Sequence, residues 1–281
     1  SPDKAREKLE PAMSSALTLV LNSAEKRVQM LILRESEMLC AQDWLCRTGS
    51  TELLAPVMHD AFARLHLSPL SLDRIACVAG PGSFTGLRLA LTTAAALARA
   101  ASAHRSSPVR QAGLDYLQCI AANAPAKPGE RVRVVVNAKR GWIYQADYIA
   151  QAPRPMDGAP RPPRREGNIR LLPLPVPETA PENGIDWILG SAAGTGQPER
   201  AALFLRSLPG ARLIDAEHPF PSSLLAAALD APWDDGALSD IDPVYLREPD
   251  AIDNLDALSR AQGREPGQAR AELDRLMRQG I

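Results

Sequence analysis

Aromatic side chains are scarce, with four each of Phe, Trp and Tyr in 281 residues. A core with so few rings must be filled by Leu, Ala, Val and Ile. No run of 18 apolar residues occurs, which excludes a membrane-spanning helix. The opening SPDKAREKLEPAM lacks the apolar centre of a signal peptide, so a cytoplasmic location without membrane contact is expected. Net charge is lacking too: 32 Lys and Arg against 33 Asp and Glu leave −1. That balance argues against work resting on many phosphate contacts, such as coating a nucleic acid. The four cysteines, Cys40, Cys46, Cys77 and Cys119, form no C-x-x-C pair, and no histidine stands at zinc-finger spacing from them. His59 and His66 are two helical turns apart, too far for the paired ligands of a zinc protease. Reduced thiols, no metal and no cofactor are therefore expected.

What is present is globular: 45% hydrophobic and 23% charged residues, in a chain long enough for one large domain or two of ordinary size. Residues 1–15 read as a solvated tail. ALTLVLNS, RVQMLILRE and EMLCAQDWLC then read as three strands with tight connections, an antiparallel meander. Over 50–67 the period changes: Leu53, Leu54, Val57, Met58, Ala61, Phe62 and Leu65 recur at helical spacing, with Ser50 or Thr51 as N-cap. DRIACVAG reads as a strand running into a glycine turn, followed by a helix from Ser83 to about Ala101. A second round follows: a short extended piece at 108–113, a helix over 114–124, and a hairpin of strands 131–137 and 142–149. Residues 151–182 hold nine prolines and read as an irregular loop. A strand at 185–194, then helix, strand and helix, then an extended DIDPVYLRE over 240–248 complete the pattern. The expectation is an α/β protein of two lobes, each a mixed sheet flanked by helices. The first lobe spans 16–106 and the second 107–248. The chain crosses near 104–110 and returns near 235–248, and a C-terminal tail spans 249–281.

The most specific stretch is GPGSFTGLR, residues 80–88. Gly80, Pro81 and Gly82 force a turn after a strand, and Ser83 can cap the helix. A strand, a glycine turn and a helix N-terminus make an anion site on physical grounds; a plain structural turn is equally consistent. The spacing fits neither a Walker A loop nor G-x-G-x-x-G. The helix that follows is apolar on nearly every face, which indicates packing on two sides: within the domain, or one side against another protein.

LDRIACVAGPGSFTGLRLALTTAAALA resembles the signature of the bacterial TsaB (YeaZ) family. ALTLVLNSAEKRVQMLIL resembles that family's opening strand pair, VVVNAKRGWIYQADY its D-A-R-x-G-x-x-Y hairpin with Lys139 in place of Arg, and DIDPVYLRE its closing P-x-Y-L-R. The resemblance covers roughly 16–248. It implies a two-lobed actin/Hsp70/sugar-kinase-like (ribonuclease H-like) fold. It also implies a non-catalytic subunit in tRNA threonylcarbamoyladenosine synthesis. Such a subunit would pair with TsaD, which transfers the threonylcarbamoyl group to adenosine next to the tRNA anticodon. The ATPase TsaE would join them, homodimers would form, and contact with tRNA would be indirect or weak. By the same resemblance, the interface would take Leu54, Met58 and Phe62 from the first helix. From the second it would take Phe84, Leu87, Arg88, Leu91, Ala94, Ala95 and Ala98. Gly80, Gly82 and Ser83 would form a turn near an anion or nucleotide.

The chain departs from the family's pattern at both strand ends where related phosphotransferases place a carboxylate: Asn22 and Asn137 stand there. Two amides in place of two carboxylates make a poor Mg²⁺ site. An ATPase or sugar-kinase-like phosphotransferase is therefore the weaker alternative. A glycoprotease lacks both H-x-x-x-H and a recognisable nucleophile–base pair.

Overall fold

In the computed structural model the described residues are 15–46, 52–138, 141–174, 182–194, 196–233 and 241–244, with Arg260, Ala271 and Arg275. Three strands open the chain: β1 (Leu17–Asn22), β2 (Arg27–Arg34) and β3 (Glu37–Leu45). They form the expected antiparallel meander. Helix α1 (Leu54–Arg64) leads to β4 (Arg74–Gly80), and α2 (Phe84–Ser102) leads to β5 (Arg110–Asp115). β4 and β5 pair in parallel beside β1, giving the order β3-β2-β1-β4-β5.

Alternation decides the packing. Leu17, Leu19 and Leu21 point from β1 to one face, with Met30 and Ile32 from β2 and Ile75 and Cys77 from β4. Onto that face pack Leu54, Val57, Ala61 and Phe62 of α1 and Ala90, Ala94, Ala98 and Ala101 of α2. Large side chains on the sheet leave room only for alanines on the helix. Every residue of β1 is buried, because the other face is covered as well.

The second sheet repeats the plan. β6 (Arg131–Asn137), β7 (Trp142–Ile149) and β8 (Arg164–Pro173) run antiparallel. β9 (Trp187–Leu189) and β10 (Arg212–Leu213) pair in parallel beside β6, giving β10-β9-β6-β7-β8. β1 and β6 are therefore topological counterparts. Helix α4 (Pro198–Ser207) covers one face through Phe204, which meets Val135, Ile143 and Ile188. Helix α3 (Tyr116–Ala121) lies between the sheets and touches β4 and β5 on one side, β6 and β7 on the other.

Several expectations need correction. Residues 151–182 are not all loop: β8 is a ten-residue strand within them. Its interior, RREGNIRLL, is free of proline; Pro162 and Pro163 precede it and Pro173 ends it. It is an edge strand, where proline is tolerated. Residues 175–181 lie outside the described residues. β5 belongs to the first sheet, so that sheet continues past 106 to Asp115. The chain also comes back to the first sheet earlier than 235: α5 (Pro221–Leu229) packs on β1, β2 and β5. The N-cap of α1 is Leu53, without a side-chain cap; Ser50 and Thr51 lie outside the described residues, as do Lys139, Arg140 and most of the two tails. Residues 241–244 are extended, and the Val244 amide donates to the Ala79 carbonyl at 2.7 Å. Residues 245–281 form a separate unit in which Arg260, Ala271 and Arg275 are helical and exposed. No helix among the described residues is long and apolar enough to cross a membrane.

Candidate functional site

Asn22 ends β1 and Asn137 ends β6, the same place in the two repeated sheets. Asn22 is buried and fully engaged. Its Nδ2 donates to Gln29 Oε1 at 2.7 Å, and its Oδ1 accepts from the Ala24 amide at 3.0 Å. Gln29 Nε2 is used for Asp43 Oδ2 at 3.1 Å and the Pro219 carbonyl at 2.7 Å. The oxygen of Gln29 is thus the atom facing Asn22, and residue 22 must donate. A carboxylate cannot. We expect Asn22→Asp to lose about 1–3 kcal/mol of stability by setting two acceptors against each other, measured by urea unfolding. Unchanged stability would show that residue 22 is free to accept a carboxylate. Asn137 also donates: its Nδ2 reaches the Ser191 carbonyl at 2.9 Å and its backbone N–H reaches Ser191 Oγ at 3.0 Å.

Between these strand ends lies a carboxylate that the sequence pattern did not single out. Glu25, on the β1–β2 turn, accepts from Tyr116 OH at 2.7 Å and from Ser191 Oγ at 2.8 Å. Burial pushes its carboxyl above the ordinary range, while the Tyr116 and Ser191 hydroxyls pull it back. The preceding residue, Asp115, has a parallel task. Its Oδ1 caps α3 through the Leu117 and Gln118 amides at 2.9 and 3.3 Å; its Oδ2 accepts from Tyr148 OH at 3.0 Å and Arg165 at 2.9 Å. Burial raises its carboxyl as well, and the Arg165 charge opposes that. Glu25 and Asp115 each join groups of the first sheet to groups of the second. In sequence they are ordinary acids in ordinary turns, and only the fold brings Ser191 and Tyr148 to them.

A cavity of about 470 Å³ lies beside Asp115, lined by Gly80, Gln111, Gly113, Arg165 and Asp242 among others. Asp115 and Arg165 pair with one another there at 2.9 Å. Among the described residues no group of three His, Cys, Asp or Glu side chains could hold a metal ion.

The glycine turn is occupied by the chain itself. The Ser83 amide donates to the Ala24 carbonyl at 2.6 Å, and Ser83 Oγ accepts from the Gly86 amide at 3.3 Å. A Cβ on Gly82 would lie 2.8 Å from Ala24 Cβ, and one on Gly86 would overlap the Ser23 carbonyl oxygen. Gly80 has φ +123°, and a Cβ there would meet the Val244 carbonyl at 2.7 Å. The anion reading of Gly80, Gly82 and Ser83 thus gives way to close packing: these residues admit the β1–β2 turn and segment 241–244.

The ten residues assigned to a partner face divide in two. Leu54, Phe62, Leu87, Ala94 and Ala98 are at most 2% exposed and belong to the core of the first lobe, so they cannot form a surface. Met58, Phe84, Leu91 and Ala95 are half-buried, and Arg88 is exposed, stacked 4.9 Å over the Phe84 ring. Phe84, Arg88, Leu91 and Ala95 follow one another at helical spacing along one flank of α2, between its buried face and the exposed face of Thr85, Thr92 and Ala96.

Residues 45–154 match the family model described as TsaD: tRNA N6-adenosine threonylcarbamoyltransferase. The chain is 30% identical over 241 residues to an uncharacterized protein of Mycobacterium tuberculosis, covering 85% of this chain and 92% of that one. It is 31% identical over 201 residues to an uncharacterized protein of Mycobacterium leprae, of which it spans only 45%. It is 27% identical over 208 residues to the tRNA threonylcarbamoyladenosine biosynthesis protein TsaB of Escherichia coli, covering 72% of this chain and 83% of that one. The solved structure of YeaZ from Pseudomonas aeruginosa superposes with a TM-score of 0.62 at 23% identity, over 82% of this chain and all of that one. Two repeated mixed sheets flanked by helices make a two-lobed fold shared with YeaZ, and with these likenesses the chain belongs to the TsaB (YeaZ) family.

Proposed function

We propose that this chain is a non-catalytic partner subunit in tRNA threonylcarbamoyladenosine synthesis. It binds TsaD, is joined by TsaE, and supports threonylcarbamoyl transfer to the adenosine next to the anticodon in the cytoplasm. Alone, it pairs with a second copy. The observation that carries the reading is the state of the two strand ends: Asn22 and Asn137 both spend their amides as internal donors. A metal-dependent phosphotransferase needs acceptors there. The partner-facing surface is the flank of α1 and α2 on which Met58, Phe84, Leu91 and Ala95 keep partial exposure and Arg88 is exposed.

The test is co-expression with TsaD from the same organism. Co-purification of the two chains, and loss of the modified adenosine from tRNA on depletion of this chain, are expected. The chain alone should hydrolyse Mg·ATP no faster than buffer. ATP turnover abolished by substitution at Asn22 or Asn137, with no TsaD bound, would instead establish the phosphotransferase.

A further inference from the structure

Both groups that hydrogen-bond to Glu25 are donors, and they hold it against the nearby negative charge of Glu217. Ser191 Oγ–H points to one carboxylate oxygen and Tyr116 O–H to the other. Ser191 Oγ can commit its proton because it accepts in turn from the Asn137 backbone N–H at 3.0 Å. The relay therefore runs from the end of β6 through the turn after β9 to the β1–β2 turn. It joins two sheets that share no strand. Tyr116 is only 1% exposed, so its hydroxyl has little water to turn to if the carboxylate is removed. Two hydroxyl donors from opposite sides of the seam are thus met by one acceptor, and that acceptor is a carboxylate of the chain itself.

We infer that the seam between the lobes is an anion seat filled from within, and that Glu25 acts as the clasp that fixes the angle between the two sheets. The clasp is a property of this chain's turn and does not depend on the partner reading. It also gives buried Glu25 a use that catalysis does not: the charge is held where desolvation disfavours it because both lobes bind to it.

The experiment is hydrogen–deuterium exchange on the full chain. In Glu25→Ala, the amides of 135–138 and 190–193 should exchange about tenfold faster or more, the loss expected when hydrogen bonds to a charge are removed. The β2–β3 amides should not change. Sodium formate, which returns a carboxylate of the right size, should restore slow exchange; formamide at the same concentration and ionic strength should not. Glu25→Gln fills the seat without charge, so it should loosen the same segments less and not respond to formate. Tyr116→Phe keeps the carboxylate and the Asn137–Ser191 bond and removes the other donor, and it should speed exchange of the same segments. Should Glu25→Ala fail to fold, that variant carries the test. Parent-like exchange in the loosening variants, or rescue by formamide equal to that by formate, would overturn the clasp.

Discussion

Gly86→Ala is expected to lower the melting temperature by roughly 6–12 °C, a net loss of about 3 kcal/mol. Two opposing effects are weighed in that figure. Alanine within a helix is favoured over glycine by about 1 kcal/mol, and Gly86 lies in the first turn of α2. Against this, the new Cβ would overlap the carbonyl oxygen of Ser23. Ser23 is fully buried on the turn after β1, and that turn also receives the Ser83 amide through Ala24. A backbone oxygen so held cannot swing aside as a side chain would. Either α2 lifts from the sheet or the turn moves, at about 4 kcal/mol or more, above the usual overpacking range. Gly113→Ala is the comparison, since its Cβ would meet Ile241 Cγ2 at 2.9 Å, the end of a side chain, and Ala79 Cβ at 3.4 Å, close to ordinary contact. That variant should fall within about 1 kcal/mol of the parent. If both variants unfold at one temperature, close approach of backbone is not the reason for glycine at 86.

The same contact explains what the glycine-rich stretch could and could not say before the fold was known. The turn and the Ser83 cap were legible because they depend on residues adjacent in sequence. Whether the turn stood open to an anion depended on Ser23 and Ala24, some sixty positions earlier, and no local pattern reports that. The strand-end amides were legible for a related reason. A missing carboxylate is visible in one sequence, but the Gln29 oxygen that makes donation obligatory at Asn22 is visible only once β2 lies beside β1. Glu25 and Ser191 lie on two separate turns and Tyr116 opens α3, so the seam they form left no mark in spacing at all. β8 was hidden by its flanks: prolines at 162, 163 and 173 outweighed the nine residues between them, RREGNIRLL.

The deepest ambiguity was the direction in which α2 faces. Its sequence is apolar nearly all round, so periodicity offers two seams of equal quality. The sheet resolves them. Leu19, Leu21, Met30 and Ile75 rise from its face, and only a row of small residues can approach that closely; Ala90, Ala94, Ala98 and Ala101 are that row. The neighbouring row, Phe84, Arg88, Leu91 and Ala95, is left on the flank, partly exposed. Adjacent alanines therefore carry opposite consequences. Ala94→Arg places a guanidinium at a site that is 0% exposed, among aliphatic side chains and with no acid to meet it. The expected loss is on the order of 4 kcal/mol or more, read as collapse of the circular dichroism melt. Ala95→Arg starts from the half-buried flank of the same turn, from which a long side chain can carry its charge out to water. Its stability should stay within about 1 kcal/mol of the parent. What it should lose is association: a charge set beside Leu91 at the centre of the proposed face ought to abolish co-purification with TsaD and self-association in the ultracentrifuge. Intact binding by a well-folded Ala95→Arg would remove this flank of α2 from the interface.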